Sequence, residues 1–355
     1  MSVYLNLNIP TITLCLASLL GVATFYFLKK NNTDDEEEEN VEELEFVKVG
    51  KIEKLFIYPV KSMKGISVPY IECGKTGGSY KYMRDRSFMV VDRKTSLYIG
   101  AKKERKLTLI EPSLNYDSVT SSYILTLNCD NNKTFVTVNL NNVVRERKIL
   151  TANVFNDGIC EGYDCGDEVG DFIKDVLGSS ADLRLMYHSE SLFRQRHSVV
   201  GPEYCNTNVS KGPHEIKYQD DAPYNILTEE SLVDLNKRLN GNGQMVIERF
   251  RPSIVVSGTK PYDEDYWRYV KIGSCFLDLL KPCTRCVQTT IDPTTGEKHP
   301  NNEPLRELRK YRLATGRIEK QYGKSPVFGM HVGIRNGGII KVGDDVNVVY
   351  KKIAF

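Results

Sequence analysis

The first pattern along the chain is a long apolar run. No charged residue occurs from Met1 to Leu28, and residues 9–28 read IPTITLCLASLLGVATFYFL. Twenty helical residues at 1.5 Å each span about 30 Å, the thickness of bilayer hydrocarbon. A cleaved signal peptide would carry Lys or Arg before the run and a small-x-small site after it. Residues 1–8 have no such charge, and FYFLKK is bulky. The pattern therefore predicts a short tail over 1–8 and one transmembrane helix over 9–28. Lys29 and Lys30 follow the run, which places the remainder of the chain in the cytosol by the positive-inside rule. Residues 29–46 hold Asp34 to Glu39 and Glu42 to Glu45 and read as a self-repelling, solvated linker.

From residue 47 the apolar positions recur with a strand-like period. Residues 47–59 set Val49, Ile52, Leu55 and Ile57 among Lys and Gly, as a half-buried strand does. Further strands are predicted at Ser87–Val91, Leu107–Ile110, Tyr123–Leu127, Thr134–Val138 and Lys148–Thr151, with turns such as CDNNK between them. The period changes to helical over Asp167–Leu177, where Val169, Phe172, Ile173, Val176 and Leu177 share one face. Ser189–Asp221 is polar and poorly periodic, as a long loop or cover segment would be. A helix is expected to start at Thr228, with Thr228 as N-cap and Ser231 where Glu completes the capping box. Strands follow near Ser253–Val256, Tyr269–Ile272, Cys275–Leu280, Met330–Ile334 and Val346–Tyr350, with a short helix over Glu303–Tyr311. The expected fold class is α+β and β-rich, in two parts dividing near 180–200.

Composition narrows the class. The chain has 355 residues, 41% hydrophobic and 26% charged, ordinary for a globular protein of two domains or one large one. This excludes a disordered chain, a collagen-like fibre and a multi-span membrane protein. The 48 Lys+Arg nearly balance the 46 Asp+Glu. Residues 1–45 contain two of those bases and nine of those acids, which leaves 46 against 37, a body of net charge +9. Such a body favours an anionic ligand or an acidic partner. No nucleic-acid recognition motif accompanies it. The nine cysteines lack a framework spacing and are expected as thiols in a cytosol-facing body. The sequons at Asn31, Asn132 and Asn208 would then stay unglycosylated.

The sharpest chemical feature is KPCTRCVQTTIDPTTG, Lys281 to Gly296. Its Cys283 and Cys286 form a CxxC. A zinc site needs a second pair, and Cys160 with Cys165 is poorly spaced and distant. A thioredoxin-type disulfide needs a helix after the motif, whereas QTTIDPTTG is turn-rich. A third reading has one thiolate bind a soft metal, with Arg285 alongside to lower its pKa and hold an anion. Basic spots occur at YPVKSMKG (58–65), RDR (84–86), RFRPS (249–253) and YGKSPVFGMH (322–331). Each is ordinary as a solvated loop; together they could form one phosphate or pterin cradle.

In order, YPVKS, RDR, RFRP, CxRC-xxTTxDPxTG and YGKSPxFG resemble the mitochondrial amidoxime reducing component family, from about Val49 to Val348. The resemblance implies a MOSC amino-terminal β-barrel-like region over 47–180 and a MOSC β-barrel domain over 181–352. It implies a molybdenum cofactor (molybdenum with molybdopterin), ligated by Cys286. It carries cofactor contacts onto Lys61, Ser62, Arg86, Arg251, Thr284 and Arg285, and onto His331, where relatives often have Tyr. Ser253 stands where the family commonly has Asn, and Asp221 and Ala222 where some members have hydroxyl residues. Ala222 offers only backbone groups there, and Asp221 would repel a phosphate unless its carboxylate points away. Asp292, six residues after Cys286, is a candidate for proton delivery or for shaping the loop, since Asp-Pro-x-x-Gly is also an ordinary turn.

The activity the resemblance implies is reduction of N-hydroxylated compounds (amidoximes, hydroxylamines, N-oxides). Electrons would come from NADH through cytochrome b5 reductase and cytochrome b5, since no nicotinamide or flavin fingerprint occurs in the chain. The implied location is the mitochondrial outer membrane. The competing functions are a non-catalytic cofactor or sulfur carrier and a zinc-binding membrane adaptor.

Overall fold

Strand β1 (Val47–Ile57) begins the described body with three consecutive buried residues, Leu55, Phe56 and Ile57. The computed structural model describes residues 44–130, 133–154, 158–192, 196–198 and 214–354. The expected transmembrane helix lies outside them, and among the described residues no helix is long and apolar enough to cross a membrane. The strands after β1 are β2 (Ile66–Val68), β3 (Tyr70–Gly74), β4 (Gly77–Tyr80), β5 (Met83–Arg84), β6 (Phe88–Asp92) and β7 (Leu97–Tyr98). Then come β8 (Glu111–Asp117), β9 (Ser122–Cys129), β10 (Thr134–Asn139), helix α1 (Leu140–Glu146), β11 (Ile149–Asn153), β12 (Ile159–Asp164), helix α2 (Asp167–Leu177) and β13 (Leu183–Tyr187). The remainder is β14 (Arg196–His197), β15 (Glu215–Ile216), β16 (Tyr224–Thr228), helix α3 (Glu229–Leu239), β17 (Ile254–Ser257), β18 (Trp267–Ile272) and β19 (Cys275–Thr284). Helices α4 (Leu305–Tyr311) and α5 (Glu319–Tyr322) precede β20 (Val327–Asn336), β21 (Gly338–Lys341) and β22 (Asp345–Tyr350).

Two barrels account for most strands. The larger sheet runs β17-β16-β20-β19-β18-β22-β1-β2, and β1 also pairs with β17, so seven strands close on themselves. Its inside is dry, and so is its outside where helix α3 packs. Ile52, Leu55 and Ile57 face the barrel core with Ile226, Ile254 and Trp267. Phe56 instead packs outward with Leu227, Val255 and Leu232, Leu235 and Leu239 of α3. Alternate residues thus enter two different cores, which is why LFI at the end of β1 and IVV in β17 are continuous apolar runs. The smaller barrel closes through β11-β12-β13-β6-β7. In it, Met89, Val91 and Met186 pack on one side, while Phe88, Val90 and Leu185 meet Val169, Ile173 and Leu177 of α2 on the other.

Sheet membership does not follow chain order. β1 belongs to the larger barrel with the last strands of the chain, and β21 pairs with β3. β13 lies past residue 180 yet pairs with β6 and β12 of the smaller barrel. A cut at 180 therefore separates β13 from the barrel that it completes.

Two local expectations differ from the structure. Residues 107–110 fall in and just after a 3-10 turn (Arg105–Leu109), not in a strand. Leu107 and Ile110 are both buried there, and a short apolar run cannot distinguish a turn from a strand. Helix α3 starts as expected, but Thr228 makes no capping bond to its backbone. Its Oγ1 donates instead to Glu264 (2.9 Å) and shares a hydrogen bond with Ser231 Oγ (2.6 Å). Glu264 is fully buried, and burial followed by the charge of Asp265 pushes its carboxyl up to about 7. Within the polar stretch 189–221, Arg196–His197 pairs with Glu215–Ile216 as a two-strand ribbon.

Candidate functional site

Three unusual backbone positions mark one place in the fold. Ser62, Arg86 and Arg251 have φ of 71°, 46° and 52°, the left-handed region that non-glycine residues rarely adopt. Such strain persists where the surroundings over-determine it, and it clusters at ligand sites. All three residues line a cavity of about 400 Å³ on the larger barrel.

Tyr58 organises the first wall. Its backbone N–H donates to Asp85 Oδ1 (2.9 Å), and Arg86 binds both oxygens of Asp85 (2.6 and 2.7 Å). The Arg86 and Arg251 guanidiniums lie 4.4 and 4.2 Å from the Tyr58 ring centre, a cation–π arrangement. The 61–65 loop folds against the same ring. A Cβ at Gly65 would fall 2.3 Å from Tyr58 Cε1, so the glycine of YPVKSMKG is a packing requirement. In that loop Lys61 Nζ donates to the Tyr218 carbonyl (2.6 Å) and forms an ion pair with Asp220. Burial lowers the Lys61 pKa, and Asp220 opposes that shift. Ser62 Oγ and the Tyr98 hydroxyl share a hydrogen bond of 2.7 Å.

The second wall is the CxRC segment. β19 carries Lys281, Cys283 and Thr284, and Cys286 lies beyond it at the start of a 3-10 turn (Val287–Thr290). The Cys286 carbonyl accepts from Thr289 N and Oγ1 (3.1 and 2.9 Å), which fixes the turn under the thiol. Both cysteines are free thiols, Cys283 buried and Cys286 partly exposed. Arg285, expected to hold an anion beside Cys286, lines the cavity and also has partners of its own. Its guanidinium donates to the carbonyls of Phe328 (2.6 Å) and Phe250 (2.7 Å). It therefore ties the segment to two neighbouring elements. Although burial opposes it, Arg285 and His331 lower the thiol pKa of Cys283, the inner cysteine.

Gly329 (φ +83°) lets this packing occur. A Cβ there would lie 2.7 Å from the Ile226 carbonyl oxygen and 3.2 Å from Arg285 Nη2. Gly329→Ala is expected to destabilise the chain by about 1–2 kcal/mol from the left-handed backbone alone, and by more from the clash. Denaturant unfolding measures it, and an unchanged midpoint would contradict this account.

The charge census of the cavity is lopsided. Six Lys or Arg side chains line it, among them Lys102 and Arg249, against Asp220 and Asp221. Asp221 does not present a bare charge: its Oδ1 accepts from Lys281 Nζ (2.5 Å), and its Oδ2 lies 3.6 Å from His331 Nε2. Burial lowers the His331 pKa, but Cys283 and Asp221 outweigh it and leave the imidazole raised. Ala222 and Ser253 also line the cavity. Arg251 Nη1 donates to the Met63 carbonyl (2.6 Å), and burial, reinforced by Arg86, pulls this guanidinium down to about 10. Arg251 Nη2 and Arg249 Nε and Nη1 are buried and have no hydrogen-bond partner among the described residues. Buried donors without partners are costly. Both arginines line the cavity, so an anion placed there would lie beside them.

Asp292 is not among the lining residues. Its Oδ2 accepts from Arg249 (2.7 Å), and its Oδ1 accepts from Thr294 Oγ1, Thr294 N and Thr295 N. Of the two roles open to it, loop shaping matches this geometry and proton delivery into the cavity does not. Burial would raise its pKa, but the Thr294 bonds and Arg249 hold it below the ordinary carboxylate value of 3.8. A depressed folded pKa stabilises above the unfolded value and loses that stabilisation as pH falls. Asp292→Asn is therefore expected to lower the thermal midpoint by a few degrees at pH 7. The difference from the unsubstituted chain should shrink as pH falls below 3.8. Thermal scans at pH 7 and pH 3 check both points.

The cavity thus gathers Lys61, Ser62, Arg86, Arg251, Thr284, Arg285, Cys286 and His331. Sequence reasoning passed over Arg249, Asp220, Tyr98 and the Lys281–Asp221 pair. Arg249 stands in the same RFRP segment as Arg251, so a signal existed. The Lys61–Asp220 pair joins residues 159 apart, for which no local pattern exists.

Among known proteins, the MOSC domain family model matches residues 213–347, and the MOSC N-terminal beta barrel domain model matches residues 49–180. Mitochondrial amidoxime-reducing component 1 of Mus musculus is 34% identical over 299 residues, covering 84% of this chain and 82% of that protein. The Homo sapiens protein of the same name is 33% identical over 299 residues, covering 84% and 83%. Mitochondrial amidoxime reducing component 2 of Rattus norvegicus is 33% identical over 305 residues, with 84% and 83% covered. With two MOSC-type matches along the body and relatives aligned over most of their own length, the chain belongs to the mitochondrial amidoxime-reducing component family.

Proposed function

We propose that this chain is a molybdenum cofactor-dependent reductase of N-hydroxylated compounds. The observation that carries the reading is that Arg249 and Arg251, which line the cavity that also holds Cys286, bury guanidinium N–H groups with no hydrogen-bond partner among the described residues. A phosphate-bearing pterin is an anion of the required kind, and a thiolate is a suitable ligand for a soft metal. The residues present fit that group. Cys286 would ligate the metal, Arg249 and Arg251 would take acceptor oxygens, and Lys61 and Arg86 would add positive field. When bound, the group supplies a metal that accepts the substrate oxygen and delivers two electrons.

The chain's own residues supply position and protons. Thr289 and Arg285 hold the Cys286 turn rigid from below. Asp221, between Lys281 and His331, keeps a matched charge at the cavity edge, and His331 carries an exchangeable proton there. Substrate reduction consumes two protons, and a partly buried imidazole with a raised pKa is a suitable source.

Electrons would arrive from cytochrome b5, an acidic protein reduced by NADH through cytochrome b5 reductase. The basic body would steer that encounter. Raising ionic strength from 20 to 200 mM is expected to slow electron transfer by about tenfold. Stopped-flow haem oxidation measures this, and an unchanged rate would remove the steering argument. A location at the mitochondrial outer membrane, anchored by residues 9–28, is part of the same reading; the relatives' names say mitochondrial and no more. Imaging a tagged full-length chain tests it.

The reading as a whole rests on one measurement. The purified full-length chain should contain molybdenum and pterin and should reduce benzamidoxime with NADH, cytochrome b5 reductase and cytochrome b5. Molybdenum without turnover would favour a cofactor carrier, and zinc without molybdenum would favour a structural adaptor.

A further inference from the structure

A second cavity, of about 640 Å³, lies between the β4–β5 hairpin, the adjoining ends of β6 and β13, and helix α1. It shares no lining residue with the Cys286 cavity. Its volume is that of an ordinary small-molecule site. Two aromatic pairs wall it. Phe88 and Tyr187 stack with ring centres 4.7 Å apart, and Tyr82 meets Tyr123 at 5.2 Å.

The polar end is built around Lys217. This residue is 94% buried (6% exposed) and lines the cavity. Its backbone is pinned from both sides: its N–H donates to Gln219 Oε1 (2.6 Å), and its carbonyl accepts from Arg196. Among the described residues its ammonium has no ion-pair or hydrogen-bond partner. The carboxylates whose field reaches it, Asp85 and Glu190, are each matched elsewhere. Asp85 is bound by Arg86, and Glu190 by Arg84 at 2.9 Å. Burial, followed by the charge on Lys217, pushes the neighbouring His188 down to about 4, so it is neutral near pH 7. Burial, followed by the charge of Arg84, lowers the Lys217 pKa, with Asp85 and Glu190 opposing it; a buried ammonium without an ion-pair partner is costly, and an anion arriving in the cavity would offset that cost.

We propose that this second cavity binds a planar aromatic carboxylate, its ring between the Tyr82/Tyr123 and Phe88/Tyr187 walls and its carboxylate on Lys217 Nζ. The aromatic faces supply apolar area and stacking. Lys217 supplies the orienting charge, and the Arg84–Glu190 pair leaves the mouth close to neutral. The site is separate from the proposed reductase chemistry, so failure of one leaves the other standing.

Calorimetric titration of the purified full-length chain with 2-naphthoate tests it, with 2-naphthamide as the uncharged isostere. The expected result is saturable binding of one naphthoate per chain, with the amide at least tenfold weaker. Lys217→Met should weaken naphthoate at least tenfold and leave the amide unchanged. Val144→Trp, at an exposed rim position on α1, should block both compounds by filling the cavity. The proposal is overturned if naphthoate shows no saturable binding up to millimolar concentration, or if its affinity is the same in Lys217→Met. Should that variant fail to fold by circular dichroism, Val144→Trp decides: full naphthoate affinity there overturns the assignment.

Discussion

Cys286→Ser is expected to cut amidoxime turnover by more than about a hundredfold while leaving the fold intact. Loss of a residue that only supports a metal ligand costs about 10–100-fold, and the ligand itself should exceed that. Serine keeps the volume and leaves the turn bonds undisturbed, because Thr289 N and Oγ1 hold the Cys286 carbonyl and not its side chain. A hydroxyl stays protonated where a thiol ionises, and it is a poor ligand for a soft metal. Two measurements decide it: molybdenum per chain and steady-state turnover, with far-UV circular dichroism as the folding control. Turnover within tenfold of the unsubstituted enzyme would remove Cys286 from the proposed mechanism. Cys283→Ser is the informative contrast. Cys283 is buried and interacts with His331, so its replacement should disturb packing more and chemistry less.

Arg251→Met should lower the affinity for the anionic group by about 2–5 kcal/mol, the usual cost of truncating one partner of a buried charge pair. That is roughly thirtyfold or more in binding. The expected readout is a purified protein with little molybdenum. The cofactor-free variant should nevertheless unfold within a few degrees of the cofactor-free parent. Without an anion, Arg251 is a buried cation pulled down to about 10 by burial and by Arg86, and removing such a charge is often neutral or stabilising. Methionine keeps the stem that packs near Tyr58. The lost bond to the Met63 carbonyl offsets part of this gain, by about 1 kcal/mol. Unchanged molybdenum content in Arg251→Met would show that the anion is held elsewhere.

How much of this was legible depends on the range of the interaction. Helix α2 was read at its exact bounds because Val169, Ile173 and Leu177 repeat with the helix's own period and bury one face. The CxRC turn was visible because its chemistry is local: Cys286, Thr289 and the Asp292 loop lie within seven residues. The role of Asp292 was undecided for the opposite reason. Its partner Arg249 lies 43 residues away, and only that contact separates a loop brace from a group that faces the cavity. The bracing contacts of Arg285 are hidden from the sequence for the same reason. Its neighbours in sequence suggested an anion, and its neighbours in space are two carbonyl oxygens.

By itself the sequence determined a β-rich body behind an apolar run and an acidic linker, the order of its basic segments, and the cysteine loop most suited to a metal. Those features rest on hydrophobic period, turn residues and charge runs, which act within a few residues. Tertiary structure alone decided that β1 closes the last strands into a barrel and that Asp220 and Asp221 neutralise Lys61 and Lys281. It also decided that, among the described residues, Arg249 and Arg251 beside one cavity bury donors without hydrogen-bond partners, and that Lys217 beside another makes no ion pair. These outcomes depend on which strands become neighbours and on how dry each charge becomes, and burial is a property of the packed chain.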